Sequence, residues 1–169
     1  MGKKTNLSKY NEDAIGDISE FKFAIIVADW NPEITHSMYN AAKETLIKHG
    51  AEEQNMSITQ VPGTFELPAA ARIIAKRDSP DVIICIGCVI KGETAHNEYI
   101  SNAVAQGLIQ LSIVSGKPCI FGVLTPNNME QAKDRAGGKH GNKGIEAAIT
   151  AIRMAELYKG DTVKKKIGF

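Results

Sequence analysis

The densest set of reactive side chains follows an uninterrupted apolar run at residues 81–87, and it includes Glu93, Thr94 and His96. An imidazole can both give and accept a proton near neutral pH, so His96 is a candidate for proton transfer. The turn that begins at Gly92 precedes a helical pattern, and backbone N–H groups at the start of a helix stabilise anions. The segment therefore predicts acid–base chemistry beside an anion-binding turn.

Further candidate side chains follow the other strand-like runs in the same way. Trp30 comes after the first run, Thr64, Phe65 and Glu66 come after the second, and residues 125–128 come after the fourth. The carboxyl ends of parallel strands meet at one edge of a sheet, which is where open α/β sheets bind ligands. An aromatic ring, an acid, an imidazole and helix-start amides suit a polar aromatic substrate that carries a phosphate.

Each of these residues also has a simpler explanation. A lone tryptophan at a strand end is more often a cap on the core than a stacking platform. Glu66 could simply stabilise the N-terminus of a helix, where a carboxylate contributes about 0.3–1 kcal/mol of stability at the surface. A single histidine such as His96 is more often a surface residue than a catalyst. Their occurrence after successive strands favours a shared functional site.

The chain alternates strand and helix patterns. Strands are predicted over residues 21–28, 55–61, 81–87 and 119–124. Helices are predicted from Pro32, with Asn31 as N-cap, to Gly50, and over residues 67–76, 97–114, 129–136 and 145–158, with a glycine-lysine loop over 137–144. The alternation predicts an α/β fold, a three-layer α/β/α sandwich around a four-stranded parallel sheet.

Composition and motifs exclude several classes of function. Lysine and arginine number 20 against 19 acids, so the chain lacks the strong positive charge typical of nucleic-acid binding. Cys85 and Cys88 form a C-x-x-C, but no second ligand pair is present to complete a zinc site. Their position inside a strand pattern also argues against a disulfide framework. Lys143 precedes Gly144, so the loop is not a P-loop, and no G-x-G-x-x-G follows the first strand.

The ends of the chain are polar. Residues 1–20 lack the apolar segment of a secretory signal, and no apolar run is long enough to span a bilayer. We expect a soluble cytoplasmic protein without membrane contact. Residues 1–20 are interpreted as a segment that is mobile or packed on a neighbouring subunit, 21–160 as the domain, and 161–169 as a basic tail.

Five motifs in order carry a family resemblance between about residues 21 and 158: W-N-P-E-I, V-P-G-T-F-E-L-P, G-C-V-I-K-G-E-T-A-H, F-G-V-L-T and R-A-G-G-K-H-G-N-K-G. They resemble the 6,7-dimethyl-8-ribityllumazine synthase family, transferases of flavodoxin-like fold at the penultimate step of riboflavin biosynthesis. The resemblance implies that 5-amino-6-(D-ribitylamino)uracil condenses with 3,4-dihydroxy-2-butanone 4-phosphate, releasing phosphate and water. It also implies that the reaction uses neither a metal nor an organic cofactor.

The resemblance also implies a role for each matching residue. His96 would transfer protons, while Glu93, Thr94 and Arg135 would bind the phosphate of the second substrate. Trp30 would stack on the pyrimidine ring, at a position where the family more often has phenylalanine. The residues implied in binding the pyrimidine substrate are Trp30, Thr64, Phe65, Glu66, Cys88, Val89, Ile90 and Phe121.

In this family the site lies between adjacent subunits of a homopentamer, so the resemblance implies that Phe121 and Arg135 come from the neighbouring chain. The short glycine-lysine loop resembles that of members in which twelve pentamers form an icosahedral 60-mer, although His140 replaces the usual alanine. A 60-mer is therefore a hypothesis here. Riboflavin synthase is a further partner that the family implies.

Two other classes of function remain as alternatives. The chain could be a riboflavin- or lumazine-binding or shell-forming protein of the same fold without catalysis. Such a protein should have lost the proton-transfer or the phosphate-binding group, and the presence of both His96 and Arg135 argues against it. A flavodoxin-like electron carrier would need a hydroxyl-rich phosphate loop after the first strand, and residues 29–32, Asp-Trp-Asn-Pro, make a poor one.

Overall fold

A four-stranded parallel sheet forms the centre of the protein in a computed structural model that describes residues 6–11 and 15–159. The strand order is β2-β1-β3-β4, and all three pairs are parallel. The strands are β1 (Phe23–Ala28), β2 (Met56–Val61), β3 (Val82–Cys88) and β4 (Cys119–Leu124). The predicted parallel sheet and its four strands are confirmed.

Helices cover both faces of this sheet, which confirms the predicted α/β/α sandwich of flavodoxin-like fold. The helices are α1 (Pro32–Lys48), α2 (Leu67–Arg77), α3 (His96–Ser115), α4 (Met129–Arg135) and α5 (Lys143–Lys159), with short 3-10 turns at Glu53–Asn55 and Thr64–Glu66. Helices α1 and α5 pack on one face of the sheet, and α2 and α3 pack on the other. In the described ranges, no helix has the length and apolar character needed to cross a membrane.

Strands β1 and β3 are buried along their whole length because helices cover both of their faces. Ile25 and Val27 point into the core shared with α1 and α5. Ala24 and Ile26, which alternate with them, point into the core shared with α2 and α3. This double burial explains why the sequence of these strands is continuously apolar.

The edge strand β2 is less completely covered than its sequence suggests. Met56 and Ile58 share one side of the strand, as the alternation predicts, and Met56 packs against the core of α1 and α5. Ile58 is nevertheless 46% exposed. Among the described residues β2 pairs with one strand, β1, and the helix layer leaves its middle partly open.

The prediction of a loose glycine-lysine loop at residues 137–144 is wrong. The chain there forms a small antiparallel hairpin of β5 (Ala136–Gly138) and β6 (Gly141–Asn142), and α5 begins at Lys143. Gly137 and Gly141 have φ angles of 114° and 87°, which side chains disfavour. A sequence rich in glycine here serves a tight turn and not a loose segment.

The described part of the N-terminal segment lies against its own chain. Ile18 is fully buried in the core of α1 and α5. The Tyr10 hydroxyl lies 2.9 Å from Nε2 of His49 at the end of α1. Ser8 is hydrogen-bonded to the hairpin through Asn142. The basic tail, predicted at 161–169, lies outside the described residues.

Candidate functional site

Trp30 and Glu66 meet at the carboxyl edge of the sheet. A Cβ atom built on Gly63 would lie 3.3 Å from the Trp30 ring and 3.0 Å from the Glu66 carboxylate, so both side chains surround this glycine. The backbone N–H of Trp30 donates to the carbonyl of Pro62 at 3.1 Å, which holds the main chain at Trp30 beside the turn after β2. Trp30 is 71% exposed, so its ring face is open to a ligand and is not a cap on the core.

The turn after β2 buries one of its residues and exposes the other two. The Thr64 side chain is buried, and a Cβ on Gly87 would lie 2.6 Å from its Oγ1. Thr64 therefore packs against β3, and a contact between Thr64 and a ligand would have to use its backbone. Phe65 and Glu66 are both exposed at the edge.

Asn31 joins the loop after β1 to the end of β3. Its side-chain amide donates to the carbonyl of Cys88 at 3.2 Å. Asn31 was predicted as an N-cap, and it occupies that position with φ 60° and ψ 54°, but its side chain makes no capping hydrogen bond. The predicted cap position is therefore confirmed. The side chain does not cap the helix, because the left-handed backbone directs the amide towards β3. The sequence offered no signal for this contact, whose partner is 57 residues away.

The end of β3 continues beside the end of β4. The N–H groups of Val89 and Lys91 donate to the carbonyls of Leu124 and Pro126 at 2.8 and 2.9 Å. Val89 and Ile90 are partly buried, so this segment is held in place beside the exposed loop that follows it. Burial raises the pKa of the Cys88 thiol to about 11, so that it stays neutral near pH 7. A nucleophilic role for Cys88 is thereby disfavoured.

His96 is the first residue of α3, and its side chain is exposed. Its backbone N–H lies 3.4 Å from Oγ1 of Thr94, a long hydrogen bond that orders the turn. Glu93 and Thr94 are also exposed beside the helix start. The 20 residues of α3 make its first turn a favourable position for an anion, as the sequence predicts. Across the described part of the chain, no three His, Cys, Asp or Glu residues come together as metal ligands.

Arg135 is held by an ion pair at the end of α4. Its Nη1 lies 2.7 Å from Oε1 of Glu146, and its Nη2 donates to Oε2 at 3.0 Å. Nη1 also donates to the carbonyl of His140 at 3.0 Å. Lys143 Nζ lies 3.2 Å from the same carboxylate. Burial alone would raise the pKa of Glu146, but the hydrogen bond from Arg135 and the charge of Lys143 outweigh it and lower the pKa.

The Arg135 guanidinium borders an open polar cavity of about 450 Å³. Phe121 borders a different cavity of about 340 Å³, which also contacts Ile109, Lys143 and Met154. In the sheet register Phe121 is opposite Cys85, three residues before the end of β3 at Cys88. At about 3.3 Å per residue, this places Phe121 roughly 10 Å below the edge that carries Trp30.

The structure therefore divides the predicted site residues into two groups. The first lies at the carboxyl edge of the sheet and consists of Trp30, Thr64, Phe65, Glu66, Cys88, Val89, Ile90, Glu93, Thr94 and His96. The second consists of Phe121 and Arg135, which border different cavities. Within residues 6–11 and 15–159, no hydrogen bond or ion pair joins either of them to the first group.

Known proteins resemble this chain over most of its length. The model of the 6,7-dimethyl-8-ribityllumazine synthase family matches residues 20–159. The chain belongs to this family. Proteins named 6,7-dimethyl-8-ribityllumazine synthase from Cytophaga hutchinsonii and Bacteroides fragilis are 53% and 50% identical to it. These matches cover 88% and 80% of this chain and 93% and 95% of the two relatives.

A third relative of the same name, from Porphyromonas gingivalis, is 46% identical over 90% of this chain and 94% of its own length. Family membership supports the function in riboflavin biosynthesis that the motifs predict, and it does not favour a non-catalytic binding or shell protein. Two residues beside the second group were not predicted as site residues, namely Lys143 and Glu146. Their charge and position after the glycine-rich segment were visible, but their contact with Arg135 was not.

Proposed function

We propose that this protein is a transferase that condenses 5-amino-6-(D-ribitylamino)uracil with 3,4-dihydroxy-2-butanone 4-phosphate, with release of phosphate and water. The observation that carries the proposal is the edge of the sheet at which the open Trp30 ring and the Glu66 carboxylate surround Gly63. The exposed His96 begins α3, the helix that follows β3 from the same edge. This edge offers a stacking surface, a hydrogen-bond acceptor and a proton carrier to a polar heterocycle.

The pyrimidine substrate would lie against the carboxyl edge of the sheet. Trp30 would stack on its ring, and Glu66 and Phe65 would contact the ribityl chain and ring. Backbone groups of Thr64 and of residues 88–90 would line the pocket, which agrees with the burial of the Thr64 and Cys88 side chains. His96 would carry protons in imine formation, loss of phosphate and ring closure.

The phosphate of the second substrate would be bound by Glu93, Thr94 and Arg135. Backbone amides at the start of α3 supply the anion-binding turn. Arg135 supplies a fixed charge and a planar set of donors that suits a phosphate. Its contacts with Glu146 and His140 leave guanidinium donors free for a ligand and hold the group in one orientation.

The site would be completed by a neighbouring subunit, since the chain places Phe121 and Arg135 apart from the edge of the sheet. We propose a homopentamer in which these two residues reach the site of the next chain. The exposed apolar surface of α3 supports this, since Ile113 and Val114 are 75% and 86% exposed. Assembly of twelve pentamers into a 60-mer, association with riboflavin synthase and a cytoplasmic location belong to the same proposal.

Mixing the purified protein with both substrates tests the function directly. We expect the fluorescence of the lumazine product to appear together with one equivalent of inorganic phosphate. A control without the butanone phosphate corrects for background fluorescence, and a control without the pyrimidine corrects for hydrolysis of the phosphate ester. Binding of the pyrimidine without release of phosphate from the complete mixture would instead favour the non-catalytic alternative.

A further inference from the structure

An N-terminal strap of residues 6–8 contacts the groups that hold Arg135. The Ser8 side chain is almost completely buried, although it stands near the start of the chain. Its hydroxyl accepts from the Asn142 N–H at 2.7 Å and lies 3.0 Å from the Asn142 carbonyl. A buried serine that contacts both the backbone N–H and the backbone carbonyl of one residue fixes the position of the hairpin.

The strap and Arg135 share two hydrogen-bond acceptors. The carbonyl of His140 accepts from the Leu7 N–H at 3.2 Å and from Arg135 Nη1 at 3.0 Å. Oε1 of Glu146 lies 3.3 Å from the Ser8 hydroxyl and 2.7 Å from Arg135 Nη1. Consecutive strap residues thus contact both of the groups that orient the guanidinium.

The backbone of the hairpin fits closely around this strap. A Cβ atom on Gly141 would collide with the side chains of Asn6 and Ser8. The Asn6 side chain accepts from the Ser8 N–H at 2.9 Å, which holds the strap itself in a turn. The absence of a side chain at Gly141 is therefore what lets the strap approach the shared acceptors.

We propose that Ser8 is a positioning residue that orients Arg135 for the phosphate of the substrate. The inference rests on the proposed function of Arg135. Without the hydroxyl, the backbone N–H and carbonyl of Asn142 lose this partner, and Oε1 of Glu146 loses a neighbour that restrains it. The guanidinium would then sample more orientations, and the entropy lost on binding phosphate would increase.

The Ser8→Ala variant tests this proposal, with Tyr10→Phe as the matched control. Tyr10 is in the same N-terminal segment, but its hydroxyl contacts His49 and not the groups around Arg135. We expect Ser8→Ala to raise the KM for the butanone phosphate by about 3- to 10-fold, the size of one hydrogen bond. The KM for the pyrimidine and the kinetics of Tyr10→Phe should stay unchanged.

Binding of inorganic phosphate, measured by calorimetry, gives a readout that does not depend on turnover. Ser8→Ala should weaken phosphate binding by the same factor. A wild-type protein that binds phosphate but shows no turnover would overturn only the proposed function. Equal effects on both KM values, equal effects of the two variants, or unchanged phosphate binding would overturn the role of Ser8. If Ser8→Ala does not fold, Ser8→Cys keeps the size of the side chain with a weaker donor and should shift phosphate binding in the same direction.

Discussion

At the scale of single residues, His96 carries the most specific chemical prediction. It lies at the start of α3 with an exposed side chain, and its backbone N–H contacts Thr94. General acid–base groups contribute about 100- to 10,000-fold to a rate. We expect His96→Ala to lower kcat within this range or less, without loss of the fold, when lumazine formation is followed by fluorescence.

His49 supplies a matched control for this experiment. This histidine follows the C-terminal end of α1, and its ring contacts Tyr10 and not the proposed substrate. His49→Ala should leave kcat within about 2-fold of the wild-type value, because it removes no group from the reaction. Full turnover by a folded His96→Ala protein, with chemistry limiting the rate, would contradict the proton-transfer role.

Glu146 predicts a pH dependence of stability. Its pKa in the folded protein is lowered from the ordinary value of 4.5, since the contacts from Arg135 and Lys143 outweigh the opposing effect of burial. A carboxylate with a lowered pKa contributes stability that is present above about 4.5 and is lost as the pH falls through the folded pKa. We expect Glu146→Gln to lower the free energy of unfolding at pH 7 by about 1–3 kcal/mol.

Urea unfolding of the wild type and Glu146→Gln at pH 7, 5 and below 4 checks this sign, at one protein concentration. The difference between the two proteins should be largest at pH 7 and should shrink below about 4.5, where the carboxyl group of the unfolded chain takes up a proton, until it is lost below the lowered pKa of the folded protein. Glu53, which is paired with Lys43 at the surface, serves as control through Glu53→Gln. A difference that stays constant down to the lowest pH would contradict the charged pairing.

At the scale of elements, the contact between α1 and α5 depends on Gly144. A Cβ atom at this position would collide with the backbone carbonyl of Met38 in α1. The Gly144 N–H also donates to Oδ1 of Asn142 at 2.8 Å, which fixes the start of α5. Gly144→Ala must therefore move two helices apart, and we expect a loss of about 1–3 kcal/mol in the free energy of unfolding, measured in urea.

Gly92 is the control for this substitution. A Cβ atom built there meets no other atom within 4 Å. We expect Gly92→Ala to change the free energy of unfolding by no more than about 0.5 kcal/mol, the usual range for surface substitutions. A Gly144→Ala protein as stable as the wild type would show that the two helices can separate at little cost.

The same scale shows how far the sequence predicts the fold. Strands β1 and β3 are continuously apolar because both of their faces are buried, so their pattern alone identifies them. The hairpin at residues 136–142 is not evident from the sequence, because its polar contacts include one with Ser8, 134 positions away from Asn142. Periodicity reports which face of an element is apolar, and it contains no information on such distant polar partners.

The positions of the candidate site residues could be predicted to a similar extent, for a related reason. Residues at the ends of parallel strands, such as Trp30 and His96, could be assigned to one edge because the topology brings those ends together. The burial of Thr64 and the pairing of Arg135 with Glu146 could not be predicted, because both depend on side-chain packing in three dimensions. These contacts decide which group each residue can present to a ligand.

At the scale of the whole molecule, one chain holds two incomplete parts of the proposed site. His96 lies at the carboxyl edge of the sheet, at the start of α3. Arg135 ends α4 and forms an ion pair with Glu146 of α5. If both parts meet only between neighbouring subunits, then His96→Ala and Arg135→Ala inactivate different sides of the same interface. Either variant alone should be nearly inactive, whereas mixed oligomers should recover activity.

Co-expression of the two variants with different affinity tags, followed by purification on both tags, provides the mixed oligomers. In a ring formed at random from equal amounts, about one interface in four joins an intact His96 to an intact Arg135, since each chain contributes the required residue half of the time. We therefore expect about a quarter of the wild-type kcat per site, with an unchanged KM at those interfaces. A site formed within one chain predicts no recovery, because no chain in the mixture carries both residues, so inactive mixed oligomers would refute the shared site while leaving the assignments of His96 and Arg135 intact.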